Sequence, residues 1–579
     1  MDVFTIGSDN METTNLSKIK REKMLYTINE IKKNITDEET LNNLSLIENE
    51  LTKKKYGLVW EEHIEKVDMD LINQIPTFEE VKNKEIFSSK DECFNFLIEG
   101  DNLHSLYLLE KTHSKRIDLI YIDPPYNTGN KDFVYSDDAV DLEDGFRHSK
   151  WLSFMANRLK IARQLLSERG VIFISIDDNE QSQLKLLCDE IFGSEHFLGL
   201  ITVVGNPRGR DYGGIAKMND YLIAYSKTSN YVLNKIEDEE HKFKTIDEYG
   251  GFELRELRNR NIKFNDKNRP NLCYPFYVNP NNKDEHGLLE ISLEPHEGFI
   301  EVMPAMSQGI QTVWRWGKEK SLKNLNINIK GKPMKEKNRY MIVEKYRDEK
   351  VMPRSVWWDK NTNTEKGTLL LKEILGDKSF DYPKPVELIQ RICEMGTDKE
   401  SIVLDFFAGS GTTGHAVMEL NKKDGGNRKF ILCTNNENNI CENVTYRRLN
   451  NIITGYENSK KEHIKGYNNI NLKYYKTSCI PKVNDDNNNL KENLMKNIVN
   501  LIQLENGIKV DNSTICVFLD EEELDKFSLC KDKLDNCQKI YISSDILLTS
   551  TEEKIFEENN IKVYVIPEYY FADEIMEVA

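Results

Sequence analysis

Cysteine pairs, long apolar runs and phosphate-binding loops are all missing from this chain of 579 residues. Its ten cysteines are scattered without a C-x-x-C pair, which argues against a zinc site or a disulfide framework and favours the reducing cytoplasm. No run of about 18 apolar residues occurs, so we expect no transmembrane helix. The first residues lack the basic-then-apolar order of a signal peptide. The chain also lacks the G-x-x-x-x-G-K-[ST] loop that binds ATP phosphates, so any ATP-driven activity would need another subunit.

Basic charge is scarce overall but concentrated in two segments. The formal net charge is −18, whereas surfaces that bind nucleic acids are usually basic. The segment from Arg315 to Arg354, however, contains thirteen Lys/Arg and only five acids, with tryptophans in and beside it. A second basic run extends from Arg255 to Arg269. Cations with stacking rings beside them suit the phosphates and bases of a nucleic acid, and a solvated Lys-rich face is the alternative. The candidate contacts are Arg208, Arg210, Arg255, Arg258, Arg260, Arg315, Trp316, Lys332, Arg339 and Arg354.

The segment Asp123-Pro124-Pro125-Tyr126 follows residues 118–122, whose crowded apolar side chains predict a buried strand. The prolines stop that strand, fix φ at about −65° and remove two N–H donors. A carboxylate, free carbonyls and an aromatic ring remain at the strand end, and this set suits a flat ring that carries an amine. Ligands bind at the carboxyl ends of strands in open α/β sheets. The alternative is a proline-terminated strand with a surface tyrosine.

A second buried strand, predicted at residues 401–407, runs into a glycine-rich turn and a helix. Gly409, Gly411 and Gly414 satisfy G-x-G-x-x-G, which alone is a weak sign of a nucleotide site. Asp405 precedes the glycines, where a carboxylate would repel a pyrophosphate but would pair with an ammonium group. The sequence therefore favours S-adenosylmethionine, which has a cationic amino-acid end. A nicotinamide-dependent oxidoreductase would explain the glycines but would leave the Asp-Pro-Pro-Tyr segment unexplained.

Together the two motifs resemble those of the amino-methyltransferases of DNA. Asp-Pro-Pro-Tyr is similar to their catalytic motif, and residues 405–413 are similar to their cofactor motif. The catalytic motif comes first, which is the circularly permuted β-class order. Residues 97–102, 170–178 and 381–389 extend the resemblance over roughly residues 57–475. The combination is similar to the modification (Mod) subunit of type III restriction–modification systems.

The resemblance implies methyl transfer from S-adenosylmethionine to adenine N6 in a base flipped out of double-stranded DNA. The Asp123 side chain and the Pro124 carbonyl would bind the amine hydrogens, Tyr126 would stack on the base, and no metal would be needed. Asn127 extends the motif and is expected at the DNA. N4-cytosine methyltransferases use the same geometry but more often have Ser in place of Asp123, so that activity remains an alternative.

The resemblance also implies a set of cofactor contacts. An acid commonly ends the strand after the cofactor helix, and Asn435 or Glu437 is expected to replace it here. Asp101 is expected near the adenine end of the cofactor, with capping of the following helix as the alternative. The complete set is Asp101, Asp123, Lys384, Pro385, Asp405, Phe406, Gly409, Gly411, Thr412, Asn435 and Glu437.

The predicted fold class is α/β, with a Rossmann-like methyltransferase sheet of permuted motif order and additional segments. A homodimer and a restriction (Res) subunit are the partners that the resemblance implies, and a solitary adenine methyltransferase is the alternative. The predicted domains are an N-terminal helical segment (1–56), the first part of the core (57–200), a target-recognition insert (201–366), the second part of the core (367–475) and a C-terminal α/β domain (480–579).

Overall fold

The chain forms two compact units in the computed structural model. Unit 1 comprises Met1–Val232, Ser355–Cys393 and Asp398–Ala579, and unit 2 comprises Leu233–Arg354 and Glu394–Thr397. Arg210, expected at the DNA, lies outside the described residues. The structure describes residues 16–33, 35, 37–52, 60–88, 93–129, 134–135, 138–139, 145–209, 214–237, 243–336, 338–467, 469–482 and 490–578.

Helices are distributed along the whole described chain. None of those in the described ranges is long and apolar enough to cross a membrane. They are α1 (Leu16–Lys32), α2 (Glu38–Thr52), α3 (Lys66–Asn73), α4 (Asn102–His113), α5 (Arg147–Leu165), α6 (Gln181–Phe192), α7 (Lys318–Asn324), α8 (Thr364–Leu375), α9 (Val386–Gly396), α10 (Thr412–Asp424), α11 (Arg447–Thr454), α12 (Leu490–Met495), α13 (Ile498–Asn506), α14 (Glu521–Ser528), α15 (Lys531–Leu534), α16 (Ser550–Glu558) and α17 (Glu568–Val578).

The strands fall into three groups along the chain. The first group is β1 (Gln74–Glu80), β2 (Ile86–Phe87), β3 (Phe94–Glu99), β4 (Ile117–Ile122), β5 (Val134–Tyr135), β6 (Asp138–Ala139), β7 (Leu166–Ile176), β8 (Phe197–Val204) and β9 (Asn219–Ser226). The second group, in unit 2, is β10 (Ile236–Glu237), β11 (Thr245–Asp247), β12 (Gly250–Glu256), β13 (Arg258–Asn259), β14 (Phe276–Lys283), β15 (Leu289–Ser292), β16 (Ile300–Val302), β17 (Met306–Ser307), β18 (Ile310–Gln311), β19 (Val313–Trp314), β20 (Ile329–Pro333), β21 (Tyr340–Tyr346) and β22 (Lys350–Val351). The third group is β23 (Val356–Trp357), β24 (Ile402–Asp405), β25 (Lys429–Thr434), β26 (Gly455–Glu457), β27 (His463–Lys465), β28 (Asn471–Pro481), β29 (Ile515–Phe518), β30 (Lys539–Ser543) and β31 (Lys562–Ile566).

Unit 1 is built on an 11-stranded sheet with the order β1-β28-β3-β25-β24-β4-β7-β9-β8-β23, in which β2 also pairs with β28. The strands from β28 to β7 in this order run parallel, whereas β9 is antiparallel to both of its neighbours. Every residue of β3 is buried, as expected for a parallel strand that helices cover on both faces. The prediction of a Rossmann-like α/β fold is confirmed.

The strands that precede the two motifs lie side by side at the centre of this sheet. The Asp118 side chain at β4 accepts a hydrogen bond from the Ile402 N–H at β24, across 284 residues of sequence, at 3.2 Å. From β4 the sheet continues to β7 on one side, and from β24 it continues to β25 on the other. The winding direction therefore reverses between β4 and β24, and a crevice opens there at the carboxyl ends of the strands.

Unit 2 is an antiparallel β structure. Its largest sheet has seven strands in the order β11-β12-β21-β20-β15-β14-β16. Phe276, Ile291 and Trp314 lie in its core. The sequence predicts an insert over residues 201–366, whereas unit 2 is shorter at both ends, because β8, β9 and β23 belong to the main sheet.

The C-terminal segment contributes a separate parallel sheet of three strands, β29-β30-β31, to unit 1. Buried polar bonds connect it to the main part of the unit. Glu574 of α17 accepts hydrogen bonds from Tyr107 and Lys111 of α4. Within the segment, Glu505 of α13 accepts a hydrogen bond from Tyr570 at 2.6 Å, which ties α13 to α17. These contacts fix the segment against the helix that follows β3.

Candidate active site

The Asp-Pro-Pro-Tyr segment leaves the carboxyl end of β4 as a turn that side chains fix in place. The Tyr126 hydroxyl donates to Asp123 Oδ1 at 2.9 Å. Lys384 Nζ donates to the Tyr126 hydroxyl at 2.6 Å and lies 2.9 Å from Asp123 Oδ1. Trp151 of α5 donates its Nε1–H to the Pro125 carbonyl at 2.7 Å. The carboxylate and the ring of the motif are thus preorganised before any ligand binds.

The charges around this turn favour an ionised lysine and a protonated tyrosine. Burial lowers the pKa of Lys384, but the carboxylates of Asp123 and Asp220 outweigh that effect, so the pKa is raised. Burial, and then the Asp123 charge, raise the pKa of Tyr126 well above its usual value. The Tyr126 hydroxyl therefore keeps its proton and remains a donor to Asp123.

Asn127, predicted to contact DNA, is a buried residue of the turn in this structure. Its φ is 57°, its exposed fraction is 1%, and its amide donates to Glu180 Oε1 at 2.5 Å and to the Arg147 carbonyl at 3.3 Å. His148 Nδ1 lies 2.6 Å from the same oxygen of Glu180. Burial raises the pKa of Glu180 to about 8. Because the Asn127 side chain is enclosed by this cluster, it cannot reach DNA in this conformation.

The glycine-rich turn after β24 closes around Asp405. Gly411 has a φ of 74°, and a β-carbon there would lie 3.1 Å from Thr445. Asp405 is 2% exposed. Its Oδ1 accepts from the Phe407 N–H at 3.0 Å, and its Oδ2 accepts from the Thr413 hydroxyl at 2.5 Å. Both carboxylate oxygens therefore bond to the turn itself.

Asp405 is expected to make the stability of the ligand-free protein depend on pH. Burial raises its pKa to about 7, although the bonds from Thr413 and Phe407 act in the opposite direction. In the unfolded chain the pKa of this aspartate is about 3.9. Between those values the folded state binds more protons, so the free energy of unfolding falls as the pH rises. Asp405→Asn should therefore melt at a higher temperature than the parent at pH 8, with a gap that closes as the pH approaches 4.

The matched control for this prediction is Asp525→Asn, because Asp525 is exposed on α14. Melting curves from pH 4 to pH 8 for the parent and both variants provide the measurement. A gap between Asp405→Asn and the parent that is constant over the whole range would contradict the prediction.

A cavity of about 590 Å³ joins the two motifs. Five carboxylates, from Glu65, Asp70, Asp101, Asp123 and Glu437, line it together with the rings of Phe154, Phe380, Phe406 and Phe407, whereas Lys66 is the lysine of the lining. The predicted site residues in the lining are Asp101, Asp123, Pro124, Pro125, Phe406, Gly409, Asn435 and Glu437.

The other predicted cofactor residues lie behind this cavity wall. Lys384 lines a smaller neighbouring cavity together with Asp220. Pro385 is buried just before α9. The Thr412 hydroxyl accepts a hydrogen bond from Arg448 at 2.8 Å. Like Asp405 and Gly411, these residues are placed to support the loop or the turn, and their cofactor contacts remain predictions.

Asp101 combines the two roles that its sequence position left open. It is the N-cap of α4, where its side chain accepts from the Leu103 N–H at 2.7 Å, and it also lines the cavity. Next to it, Arg158 of α5 is 1% exposed and bonds Glu65 through both ends of its guanidinium, at 2.6 and 3.2 Å. Arg158 also donates to Asn102 at 2.6 Å. Its Nη2 lies 3.6 Å from Asp101 Oδ1, so one buried arginine connects three side chains of the cavity wall.

Comparison with protein-family models decides the family. The model described as "DNA methylase" matches residues 117–462, which is more than half of the chain. The chain belongs to the DNA methylase family. This membership agrees with the methyltransferase prediction and disfavours the oxidoreductase alternative.

Two curated relatives illustrate how far the similarity extends. The type III restriction-modification enzyme EcoPI Mod subunit of Escherichia phage P1 is 36% identical over 442 residues, which are 69% of this chain and 66% of that protein. The type II methyltransferase M.KpnI of Klebsiella pneumoniae is 35% identical over 375 residues, 64% of this chain and 86% of that protein. The solved structure of PvuII DNA methyltransferase (cytosine-N4-specific) matches 61% of this chain and 86% of its own, at 13% identity and a TM-score of 0.33, a score too low to bear on the fold.

Most of the arginines predicted to bind DNA pair with carboxylates inside unit 2 of this methylase. The pair of Arg339 with Glu336 is exposed on both sides and contributes little to stability, so a phosphate could replace that carboxylate. Arg208 and Lys332 are exposed, and Lys320 Nζ lies 4.0 Å from the Trp316 ring centre. The DNA contacts remain predictions, including that of Arg354. The pairs are Arg255 with Glu253, Arg258 and Arg260 with Glu256, Arg315 with Glu344, and Arg339 with Glu336.

Several functional neighbours in the methylase escaped sequence reasoning. Asp220, Glu180, Trp151 and Arg158 all contact or surround the motifs, but none lies within a recognised motif. A sequence signal existed for Asp220. It lies at the start of an apolar strand, whereas Asp123 lies directly after the end of one. The buried Arg158 has no comparable signal, because an arginine within an amphipathic helix usually faces solvent.

Proposed function

We propose that this methylase transfers a methyl group from S-adenosylmethionine to adenine N6 in DNA, as the modification and recognition subunit of a type III restriction–modification system. The observation that carries the proposal is the single cavity shared by Asp123 and Pro124 with Phe406 and Gly409. This shared lining supports a site in which amine acceptors would lie next to a cofactor loop. The similarity to the EcoPI Mod subunit supports the type III assignment.

The residues of the cavity suit this cofactor. Its volume lies within the range of small-molecule sites, and its excess of carboxylates favours a cationic ligand with aromatic surface available for an adenine ring. Asp101, Phe406, Gly409, Asn435 and Glu437 would hold the cofactor. When bound, S-adenosylmethionine supplies a methyl group attached to a positively charged sulfur, and this sulfur is a good leaving group.

The chain's own residues account for the activation of the amine. The adenine amino nitrogen is a poor nucleophile, because its lone pair is delocalised into the ring. Asp123 and the Pro124 carbonyl would accept hydrogen bonds from its two N–H groups. These bonds favour a pyramidal nitrogen and stabilise the positive charge that develops. Tyr126 would stack on the ring. A base inside a duplex cannot reach this cavity, so it must be flipped out, at a cost of a few kcal/mol.

Unit 2 would read the recognition sequence on double-stranded DNA, and the protein would act in the cell interior, where DNA is found. A homodimer and a Res subunit are the proposed partners. Both proposals rest on the resemblance to Mod subunits, and the recognition sequence depends on side-chain placement at the DNA.

Single-molecule sequencing of DNA from a methylation-free host that expresses this chain tests the proposal. N6-methyladenine at one short, asymmetric sequence is the expected result. N4-methylcytosine at such a sequence would replace the adenine assignment with the cytosine alternative. Unmodified DNA, both with and without a co-expressed Res subunit, would reject the methyltransferase proposal.

A further inference from the structure

Lys384 belongs to the catalytic turn by its contacts. The resemblance placed it among the cofactor residues, but it is not in the lining of the 590 Å³ cavity. Its ammonium group instead lies 2.9 Å from Asp123 Oδ1 and 2.6 Å from the Tyr126 hydroxyl. The Tyr126 hydroxyl donates to the same Oδ1. Both contacts with the catalytic carboxylate therefore fall on one oxygen.

The backbone of Lys384 is tightly confined from two sides. Gly367 of α8 packs so closely that a β-carbon there would lie 2.2 Å from the Pro383 carbonyl and 3.0 Å from the Lys384 carbonyl carbon. On the other side, the Thr412 hydroxyl donates to the Lys384 carbonyl at 3.4 Å. The lysine is thus a fixed feature of the site, placed by the helix before it and by the cofactor loop after it.

Lys384 also balances the charge around the catalytic carboxylate. It is partly buried, lies 2.9 Å from Asp123 Oδ1 and lines a small cavity with Asp220, whose pKa burial raises. With all three groups ionised, the cluster carries one net negative charge, which favours a nitrogen that becomes positive. Without the lysine, two carboxylates would face each other, and repulsion would drive one of them to take up a proton. The ionisable groups that interact with Asp123 are Lys384, Tyr126, Asp220, Asp405 and Tyr121, and Asp177 acts on Lys384 and Asp220.

We propose that Lys384 is a positioning residue for methyl transfer. It anchors Oδ1 of Asp123, places a positive charge beside the carboxylate, and leaves Oδ2 to accept the N–H of the target amine. This inference rests on the function proposed above. Asp220 lines a small cavity together with the lysine and supplies the second negative charge.

The test compares Lys384→Met with the parent in methyl transfer and in cofactor binding. We expect kcat to fall about ten- to a hundredfold, as for loss of one hydrogen bond to a charged group. We expect the acid limb of kcat/KM to move up by about one pH unit, because Asp123 protonates more easily. The affinity for S-adenosylmethionine, measured by calorimetry, should not change. Lys378→Met is the matched control, since Lys378 is an exposed lysine paired with Asp381 at 2.8 Å.

A second variant separates charge balance from simple damage to the fold. Lys384→Met with Asp220→Asn removes one charge of each sign, so the acid limb should return towards that of the parent. Weaker cofactor binding by Lys384→Met with an unchanged acid limb would overturn the proposal and return the lysine to the cofactor. The proposal would also be overturned if the acid limb of kcat/KM in the double variant stays where it is in Lys384→Met.

A titration of the Asp123 carboxyl distinguishes this inference from the proposed function. NMR follows the titration in the parent and in Lys384→Met, both labelled with ¹³C-aspartate. The signal of Asp123 is assigned as the one that is missing in Asp123→Asn. A higher pKa of Asp123 in Lys384→Met supports the inference whether or not methyl transfer occurs, and an unchanged pKa overturns it. A parent protein that transfers no methyl group would instead reject the proposed function.

Discussion

Asp123→Ala is expected to reduce methyl transfer by about a hundred- to a thousandfold, the range found when one preorganised electrostatic contact to a transition state is removed. The variant loses the proposed acceptor for the amine N–H, and it removes the carboxylate that lies 2.9 Å from the Lys384 ammonium, so that Asp220 is the main remaining counter-charge. Rates are measured as transfer of labelled methyl to DNA that carries the sequence found by single-molecule sequencing.

Asp398→Asn is the control for that experiment. Asp398 has a side chain 58% exposed and pairs with Arg169 on the surface, so its loss should leave the rate unchanged. A melting-temperature shift on addition of S-adenosylmethionine shows that Asp123→Ala still folds and binds the cofactor. An Asp123→Ala protein that retains more than about a tenth of the parental rate would show that Asp123 is not the acceptor.

Arg158→Met should be the most destabilising single change in the cavity wall. The methionine removes the buried partner of Glu65 and also the donor to Asn102, so one carboxylate is left buried without a counter-charge. Breaking a buried ion pair in this way costs about 3–5 kcal/mol of the free energy of unfolding. Urea unfolding and the melting temperature measure the loss, and cofactor affinity should fall with it because Glu65 and Asn102 line the cavity.

Two further variants check the cause. Arg163→Met changes an exposed arginine on the same helix and should have little effect. Glu65→Met combined with Arg158→Met replaces the whole pair by apolar side chains and should regain much of the lost stability, as seen for other buried pairs. If the double variant is as unstable as Arg158→Met alone, the unpaired carboxylate is not the source of the loss.

The sequence was sufficient for the parallel sheet and for the end of β4, whereas β24 ends at Asp405, two residues before the predicted strand end. Apolar runs bounded by Pro and Gly mark buried strands, and the rule that ligands bind at strand ends places Asp123 and Gly409 at one crevice. It was not sufficient for contacts made across the sheet. Lys384 meets Tyr126 over a separation of 258 residues, and only the strand order shows that they are neighbours.

Local geometry explains the remaining differences. Asn127 has a positive φ that reverses the chain and turns its side chain inward, which the residue type permits but does not require. The acidic partners of the unit 2 arginines could have been anticipated. Arg255 and Glu253 are two residues apart on β12, so both point to one face of the strand.

The adjacency of β4 and β24 has a consequence for the protein during its synthesis. The ribosome adds about 5–20 residues per second, so Asp405 follows Asp123 on the order of 15–60 s later. During that interval the nascent chain carries the Asp-Pro-Pro-Tyr segment without the glycine-rich turn, and β4 lacks its neighbour on one side. A prematurely released chain would therefore be inactive on DNA, and full activity should appear only after translation has passed both halves of the sheet.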